Sequence, residues 1–216
     1  MTLGRTYVLM SESVVLQSIR RRVIREVYHF IGLPWLPNVI HRGGVWCARQ
    51  LRQWGDDFDD DPQKWGTCEK GQALSGYISC SVNPPMGMMK KSKRPVLLAL
   101  DPSVAATDGV VFIGKWSSFG DVLPEQCLTQ TGADWFDRMF LHPLASRADP
   151  HPGEFLVPSH IPLLELRRIV FFSDEDLEEA RASVLGISLP RGMNRIPAAV
   201  TPALFGRTMQ EEGDEQ

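Results

Sequence analysis

Alternating and continuous apolar runs predict a strand-rich core. The uninterrupted apolar runs at 95–100 and 110–113 are typical of strands buried on both faces, and the alternating run at 77–82 predicts a strand with one polar face. A further β-prone run spans 26–31. With the helices described next, these runs predict a mixed α+β domain with helices at its periphery.

Helical patterns lie around these strands and at the end of the chain. Helices are predicted at 14–24, 35–42, 133–141 and 177–185. The last of them follows Ser173, which is expected to cap it, and ends at Gly186. The least regular pattern spans 47–76. We expect one domain over residues 1–187 and, over 188–216, an extension that is loosely ordered or binds a partner, because this stretch is rich in Pro and Gly and ends in an acidic run.

One carboxylate stands at the head of an apolar run. Glu154 begins the run that reaches Pro158, directly after the polar, turn-forming segment 146–152. This pattern predicts a buried strand that starts at Glu154, followed by another strand over 163–172. A carboxylate buried there destabilises the fold unless it is paired or takes part in chemistry. The alternative is a glutamate on an edge strand that faces water.

Composition narrows the classes of function. The 216 residues are 43% hydrophobic with a net charge of −3, so a nucleic-acid partner would have to meet a local basic patch. Scattered cysteines argue against a zinc site and for free thiols in a cytoplasmic protein. We expect no membrane span and no leader peptide. P-loop, G-x-S-x-G, HExxH and Gly-rich dinucleotide motifs do not occur, which disfavours the common NTPase, hydrolase, metalloprotease and Rossmann interpretations.

Three separated segments follow one another within residues 26–173. The first joins Tyr28-His29-Phe30 to Leu36-Pro37, Ile40 and Gly43; the second runs from Tyr77-Ile78 to Asn83-Pro84-Pro85-Met86; the third runs from Gly153-Glu154-Phe155 through Ile161-Pro162-Leu163 to Ile169. In this order they resemble the tyrosine–histidine strand, the proline–methionine strand and the catalytic-glutamate strand of the DarT-like ADP-ribosyltransferases. The resemblance implies a split β-sheet core with peripheral helices.

The resemblance also implies a reaction. It is the transfer of ADP-ribose from NAD to a base of single-stranded DNA or RNA, by a toxin of a toxin–antitoxin or phage-defence system that pairs with an antitoxin protein. Glu154 would be catalytic, together with an arginine for which Arg49 and Arg52 are the nearest candidates and Arg49 is preferred. No metal is implied. The residues implied to bind NAD are Tyr28, His29, Phe30, Gly43 and Tyr77.

Nucleic-acid contacts are expected in and near the long connection 114–152, because aromatic and arginine side chains suit the stacking of unpaired bases. The residues predicted to bind the acceptor are Trp116, Arg138, His142, Arg147, Lys91 and Arg94. Two alternatives stay open. One is ADP-ribosylation of a protein or a small molecule, and the other is a non-catalytic nucleic-acid-binding module.

Overall fold

The structure, a computed structural model, describes residues 13–55, 74–89, 94–113, 131–138, 140, 153–189, 193 and 195–205. Its strands are β1 (Val27–Gly32), β2 (Gly44–Trp46), β3 (Tyr77–Ser81), β4 (Pro95–Leu100), β5 (Val111–Phe112), β6 (Glu154–Pro158), β7 (His160–Pro162), β8 (Leu166–Phe171) and β9 (Ala198–Val200). Its α-helices are α1 (Val14–Arg21), α2 (Leu36–His41), α3 (Ala48–Gln53), α4 (Met86–Met89), α5 (Ala133–Arg138) and α6 (Asp174–Ser183). In this part of the chain, no helix has the length and apolar character needed to cross a membrane.

Seven strands form the main sheet, in the order β5-β6-β3-β1-β4-β8-β9. Every neighbouring pair is antiparallel except β8 and β9, which are parallel. All six side chains of β4 are buried, because its apolar residues cover both faces of the sheet at its centre. Strands β2 and β7 form a separate small antiparallel sheet. The α+β class predicted from the sequence is therefore confirmed.

The main sheet is divided between β1 and β3. Their ladder has a single registered pair, Tyr28 opposite Ser81, whereas β1 and β4 share six pairs and β3 and β6 share five. We call β5, β6 and β3 the three-strand wing, and β1, β4, β8 and β9 the four-strand wing. The junction between the two wings is the place where the sheet opens, as expected for a split sheet.

Most predicted elements occur close to their predicted positions, and two segments differ. Within 47–76, where no regular structure was expected, Ala48–Gln53 forms α3. The strand predicted over 163–172 is divided into a 3-10 turn at Leu163–Glu165 and strand β8. Residue Asp101 accounts for the division, because its backbone N–H donates to the Glu165 carbonyl at 2.7 Å and its carboxylate binds Arg167. The apolar pattern of the sequence alone does not predict these contacts or the turn at which they occur.

Part of the predicted C-terminal extension is built into the fold. Strand β9 pairs with β8, and Phe205 has no exposed surface and lies edge-on to Phe172 at 5.9 Å between ring centres. Residues 195–205 are thus packed on the four-strand wing. Burying an aromatic side chain contributes enough free energy to hold a short strand with little β propensity of its own.

Candidate active site

Glu154 lies at the first position of β6, inside the three-strand wing. Its side chain is only 6% exposed, and β6 is flanked by β5 and β3. The alternative of an edge-strand glutamate facing water is therefore wrong. Gly153 precedes it with a φ of +61°, a left-handed conformation that L side chains rarely adopt, and a Cβ there would lie 3.3 Å from Val82. This glycine lets the chain enter β6 with Glu154 already buried.

Ser79 is bonded to Glu154. Its hydroxyl donates to Glu154 Oε1 at 2.7 Å. Ser79 lies opposite Leu156 in the β3–β6 ladder and Glu154 lies opposite Ser81, so the two side chains project from the same face of the sheet, one step apart diagonally. Hydrogen bonds to an ionised carboxylate are about twice as strong as those between neutral groups, so this contact restricts the orientation of the carboxylate.

His29 spans the junction between the wings. Beyond the Tyr28–Ser81 pair the ladder would continue with His29 opposite Cys80 and Phe30 opposite Ser79, but these pairs are not formed. Instead, His29 Nδ1 lies 2.7 Å from the Ser79 carbonyl oxygen. Since a carbonyl only accepts, Nδ1 carries the proton and donates it, and Nε2 is left as an acceptor in the neutral ring. Burial lowers the pKa of His29, with the hydrogen bond to Ser79 acting in the opposite direction.

Tyr28 and Phe30 project from the same face of the sheet as Glu154. Successive register partners place Tyr28, Ser81 and Glu154 in one row across β1, β3 and β6. The Tyr28 hydroxyl donates to Glu26 at 3.3 Å, and Arg168 donates to both oxygens of Glu26 at 2.9 and 2.7 Å. Burial, followed by the charge of Glu26, raises the pKa of Tyr28. The predicted NAD residues Tyr28 and His29 are thus brought to the junction beside Glu154, although as chain neighbours they start from opposite faces.

Gly43 lies in the turn between α2 and β2. It has a φ of +70° with no atom within 4 Å of an added Cβ, and its carbonyl accepts from the Leu163 N–H at 2.8 Å. The turn ends α2 and leads into β2. Strand β2 pairs with β7, which follows β6 in the chain, and the two form the small sheet. Its predicted contact with NAD stays a prediction.

Arg49 and Tyr77 lie at the other end of the β3–β6 ladder. The guanidinium carbon of Arg49 would be 3.3 Å from a Cβ on Gly76, so this side chain lies against the residue before Tyr77. Tyr77 pairs with Pro158, four residues along β6 from Glu154, which is about 13 Å at the usual rise of a strand. Arg49 and Glu154 therefore mark opposite ends of one ladder, and the catalytic role of Arg49 stays a prediction.

Two predicted acceptor contacts fall in the described residues. Arg138 on α5 is exposed, with its guanidinium 4.8 Å from the ring centre of Trp135, which forms a cationic aromatic surface. Arg94 is bound by Asp176 at 2.7 Å and Glu179 at 2.8 Å on α6, so a phosphate would have to compete with two carboxylates for it. Four other predicted contacts, Lys91, Trp116, His142 and Arg147, lie outside the described residues.

Helix α5 packs through its aromatic side on the face of the three-strand wing that carries Phe155, which is opposite to the face of the Glu154 side chain. Phe136 has no exposed surface and lies edge-on to Phe112 of β5, which in turn contacts Phe155, the residue after Glu154. On its other side, Asp137 binds Arg22 of α1 at 3.0 Å. The Trp135–Arg138 surface is therefore attached to the wing that carries Glu154.

Sequence reasoning missed Ser79. The alternation in β3 marks Ser79 and Ser81 as polar positions, which is the signal that was present. Which strand lies beside these serines depends on the pairing of β3 with β6, and Ser79 and Glu154 are 75 residues apart in the sequence. Across the described ranges no group of three or more His, Cys, Asp or Glu side chains is suited to a metal ion.

An apolar cavity of about 560 Å³ lies elsewhere, between α2, α6, β8 and the segment leading to β9. Leu36, Ile169 and Val184 are among its lining residues, with Arg181 and Arg195 supplying its charge. None of the residues predicted to bind NAD or the acceptor lines it. This cavity is therefore separate from the residues that the sequence predicts to carry the chemistry.

Comparison of the structure with solved proteins identifies the fold. Thermus sp. 2.9 DarT in complex with NAD⁺ matches with a TM-score of 0.53 and 13% identity, over 84% of this chain and 98% of that one. The same protein in complex with ADP-ribosylated ssDNA matches with a TM-score of 0.57 and 13% identity, over 85% and 97%. This chain has the DarT fold. The split α+β sheet that the resemblance implied is confirmed.

A third solved structure, Thermosipho africanus DarTG in complex with ADP-ribose, matches with a TM-score of 0.53 and 11% identity. The match covers 84% of this chain and 51% of that one. At the level of sequence, no family model matches this chain and no curated protein does so significantly. The likeness to DarT is therefore one of fold.

Proposed function

We propose that this protein is an ADP-ribosyltransferase that takes ADP-ribose from NAD and transfers it to a base of single-stranded nucleic acid, with DNA the favoured target. The observation that carries the proposal is the buried carboxylate of Glu154, bonded to Ser79 at the junction where the sheet opens beside His29. Support for the substrates comes from DarT structures of the same fold in complex with NAD⁺ and with ADP-ribosylated ssDNA.

The junction suits cleavage of a nicotinamide–ribose bond. That bond breaks with its electron pair going to nicotinamide, which leaves as a neutral molecule while positive charge develops on the ribose. A carboxylate in a water-poor site stabilises such a charge more strongly than one in bulk water. The ribose carbon then forms its new bond to a base nitrogen, whose proton passes to Glu154 or to solvent. Glu154 has the charge and the burial for both steps.

His29 and Tyr28 are proposed to bind the NAD ribose, with Phe30, Gly43 and Tyr77 completing the pocket. The His29 tautomer fits this role, because Nδ1–H is committed to Ser79 and Nε2 is left to accept from a ribose hydroxyl. Arg49 is proposed to bind the pyrophosphate, because a guanidinium matches two phosphate oxygens at once. Its position at the opposite end of the ladder from Glu154 is suited to an extended dinucleotide.

The acceptor nucleic acid is proposed to contact the three-strand wing at α5. The Trp135–Arg138 surface offers a ring and a guanidinium plane, both of which stack on unpaired bases. A role as a cytoplasmic toxin held in check by an antitoxin is part of the proposal, and the likeness to Thermosipho africanus DarTG in complex with ADP-ribose is consistent with a shared use of ADP-ribose.

The test supplies purified protein with NAD labelled in its adenylate part and with single-stranded DNA, single-stranded RNA or a protein mixture. Expected is label on DNA, lost in Glu154→Gln by roughly 100-fold or more, as for removal of a general acid–base or electrostatic group. Glu178→Gln is the matched control, because Glu178 is an exposed residue of α6 paired with Arg181. Its turnover should equal that of the wild type.

Each other outcome selects an alternative. Label on RNA alone would keep the reaction and change the target, and label that survives nuclease but not protease would select a protein acceptor. Absence of NAD turnover by the wild-type chain, with nucleic acid still bound, would replace the enzyme by a binding module.

A further inference from the structure

We propose that Ser79 is a positioning residue that sets the catalytic carboxylate of Glu154 in place relative to the His29 strand. The inference rests on the proposed function and names a residue that the resemblance does not assign. Ser79 is engaged twice: its side chain donates to Glu154 of the three-strand wing, and its carbonyl accepts from His29 of the four-strand wing. Both distances are 2.7 Å.

The break in the β1–β3 ladder makes these two bonds necessary. The strands on either side of this junction are fixed to their other neighbours by five or six registered pairs, β3 to β6 and β1 to β4, but between β1 and β3 one pair remains. Past it, no ladder bond specifies how far the Glu154 strand stands from the strand of Tyr28 and His29. The bond from His29 to Ser79 replaces the missing pair, and the Ser79 hydroxyl extends the connection to the carboxylate.

Glu154 itself is placed where such support matters. It is the first residue of β6, and its backbone is held by the bonds from the Ile113 N–H to the Glu154 carbonyl at 2.9 Å and from the Val82 N–H to the Gly153 carbonyl at 3.0 Å. These bonds leave the torsions of the side chain free. A glutamate side chain has several rotatable bonds, and a displacement of the reacting group by about 1 Å costs roughly 100-fold in rate. A charge-assisted hydrogen bond from Ser79 selects one orientation of the carboxylate before the substrate arrives.

Ser81 provides a matched control two residues along the same strand. It lies on the same face and directly opposite Glu154, but its hydroxyl is buried without any hydrogen-bond partner. Ser79 and Ser81 thus differ in the feature under test and share residue type, strand and face. Removing an unpaired buried hydroxyl has little cost, whereas removing the Ser79 hydroxyl takes a donor from a carboxylate.

The experiment compares Ser79→Ala, Ser79→Thr and Ser81→Ala with the wild type in steady-state turnover of NAD. Expected for Ser79→Ala is a kcat lowered roughly 10- to 100-fold at an unchanged KM for NAD, because the orientation of the carboxylate is lost while the NAD contacts stay. Ser79→Thr keeps a hydroxyl on a β-branched side chain suited to a strand, and should restore most of kcat. Ser81→Ala should turn over NAD at the wild-type rate.

Several results would overturn the inference. They are a kcat of Ser79→Ala within twofold of the wild type, an equal loss in Ser81→Ala, or failure of Ser79→Thr to recover activity. Calorimetric binding of NAD separates loss of positioning from loss of folding, since a folded Ser79→Ala binds NAD as the wild type does. A crystal structure of Ser79→Ala with Glu154 unmoved would also reject it. Failure of the proposed function has a different signature, which is a wild-type protein that turns over no NAD.

Discussion

The two wings of the sheet hold their carboxylates in different ways. On the four-strand wing, Glu26 receives two hydrogen bonds from Arg168, and on α6 Asp176 is bound by Arg94. On the three-strand wing, Glu154 is more deeply buried than either and accepts a hydrogen bond from the neutral hydroxyl of Ser79. A guanidinium largely satisfies the charge of its partner, whereas a hydroxyl orients a carboxylate without neutralising it. The ion pairs are suited to stabilising the fold, and we propose that the contact between Ser79 and Glu154 serves the chemistry.

The aromatic anchors of the wings provide the largest expected effect. Phe136 and Phe205 have no exposed surface, and each is expected to lower the free energy of unfolding by about 3–5 kcal/mol when changed to alanine. Only Phe136→Ala should also slow NAD turnover by the folded protein, because Phe136 packs through Phe112 onto Phe155 beside Glu154. Urea unfolding and turnover per folded molecule measure the two effects.

Equal loss of turnover in both alanine variants would show that the wings are not separate in function. An unchanged stability of Phe205→Ala would contradict the packing of residues 195–205 on the four-strand wing.

The ion pairs of the four-strand wing should have intermediate effects on stability. Glu26→Gln leaves the partly buried Arg168 without its anion and is expected to cost about 1–3 kcal/mol. Arg167→Gln is the control from the same strand. Its pair with Asp101 is more exposed, with 46% of the Arg167 side chain accessible, so the expected cost is below about 1 kcal/mol. Thermal and urea unfolding measure the loss of stability in both variants. Equal losses in the two variants would contradict the comparison.

The smallest expected effect is a pH dependence at the junction. Burial lowers the pKa of His29 below its ordinary value of 6.5, so the unfolded chain binds this proton more readily than the folded one. Stability is therefore present above pH 6.5 and is lost as the pH falls through the folded pKa. The pKa of Glu26 is lowered from 4.5, first by its hydrogen bond to Arg168, so its contribution is lost only at lower pH.

Urea unfolding at pH 7, 6 and 5 should show a decline in the wild type that is reduced in His29→Gln, which retains a donor for Ser79. Burial also lowers the pKa of His160, so His160→Gln serves as the comparison. A decline identical in His29→Gln and the wild type would remove His29 from the explanation.

Local pattern accounts for the elements that could be predicted. The buried strands β3, β4 and β6 follow from apolar periodicity, and Ser173 caps α6 by accepting from the Asp176 N–H, as expected from the polar start of that helix. A strand headed by Glu154 could be expected because an apolar run begins there after a glycine. These features depend on residues close together in the chain.

The pairing of distant segments decided the rest. Four features depend on residues from separate elements. They are the contact of Ser79 with Glu154, the single pair between β1 and β3, the ion pair of Arg94 with α6, and the pairing of β9 with β8. Side-chain periodicity specifies which face of a strand is buried but not which strand will lie beside it. The sequence by itself determined an apolar strand with a carboxylate at its head, and the structure decided that this carboxylate is buried. Only the tertiary structure placed Ser79 of β3 against Glu154 of β6 and His29 of β1 against the Ser79 carbonyl. Register and strand order are properties of the packed sheet.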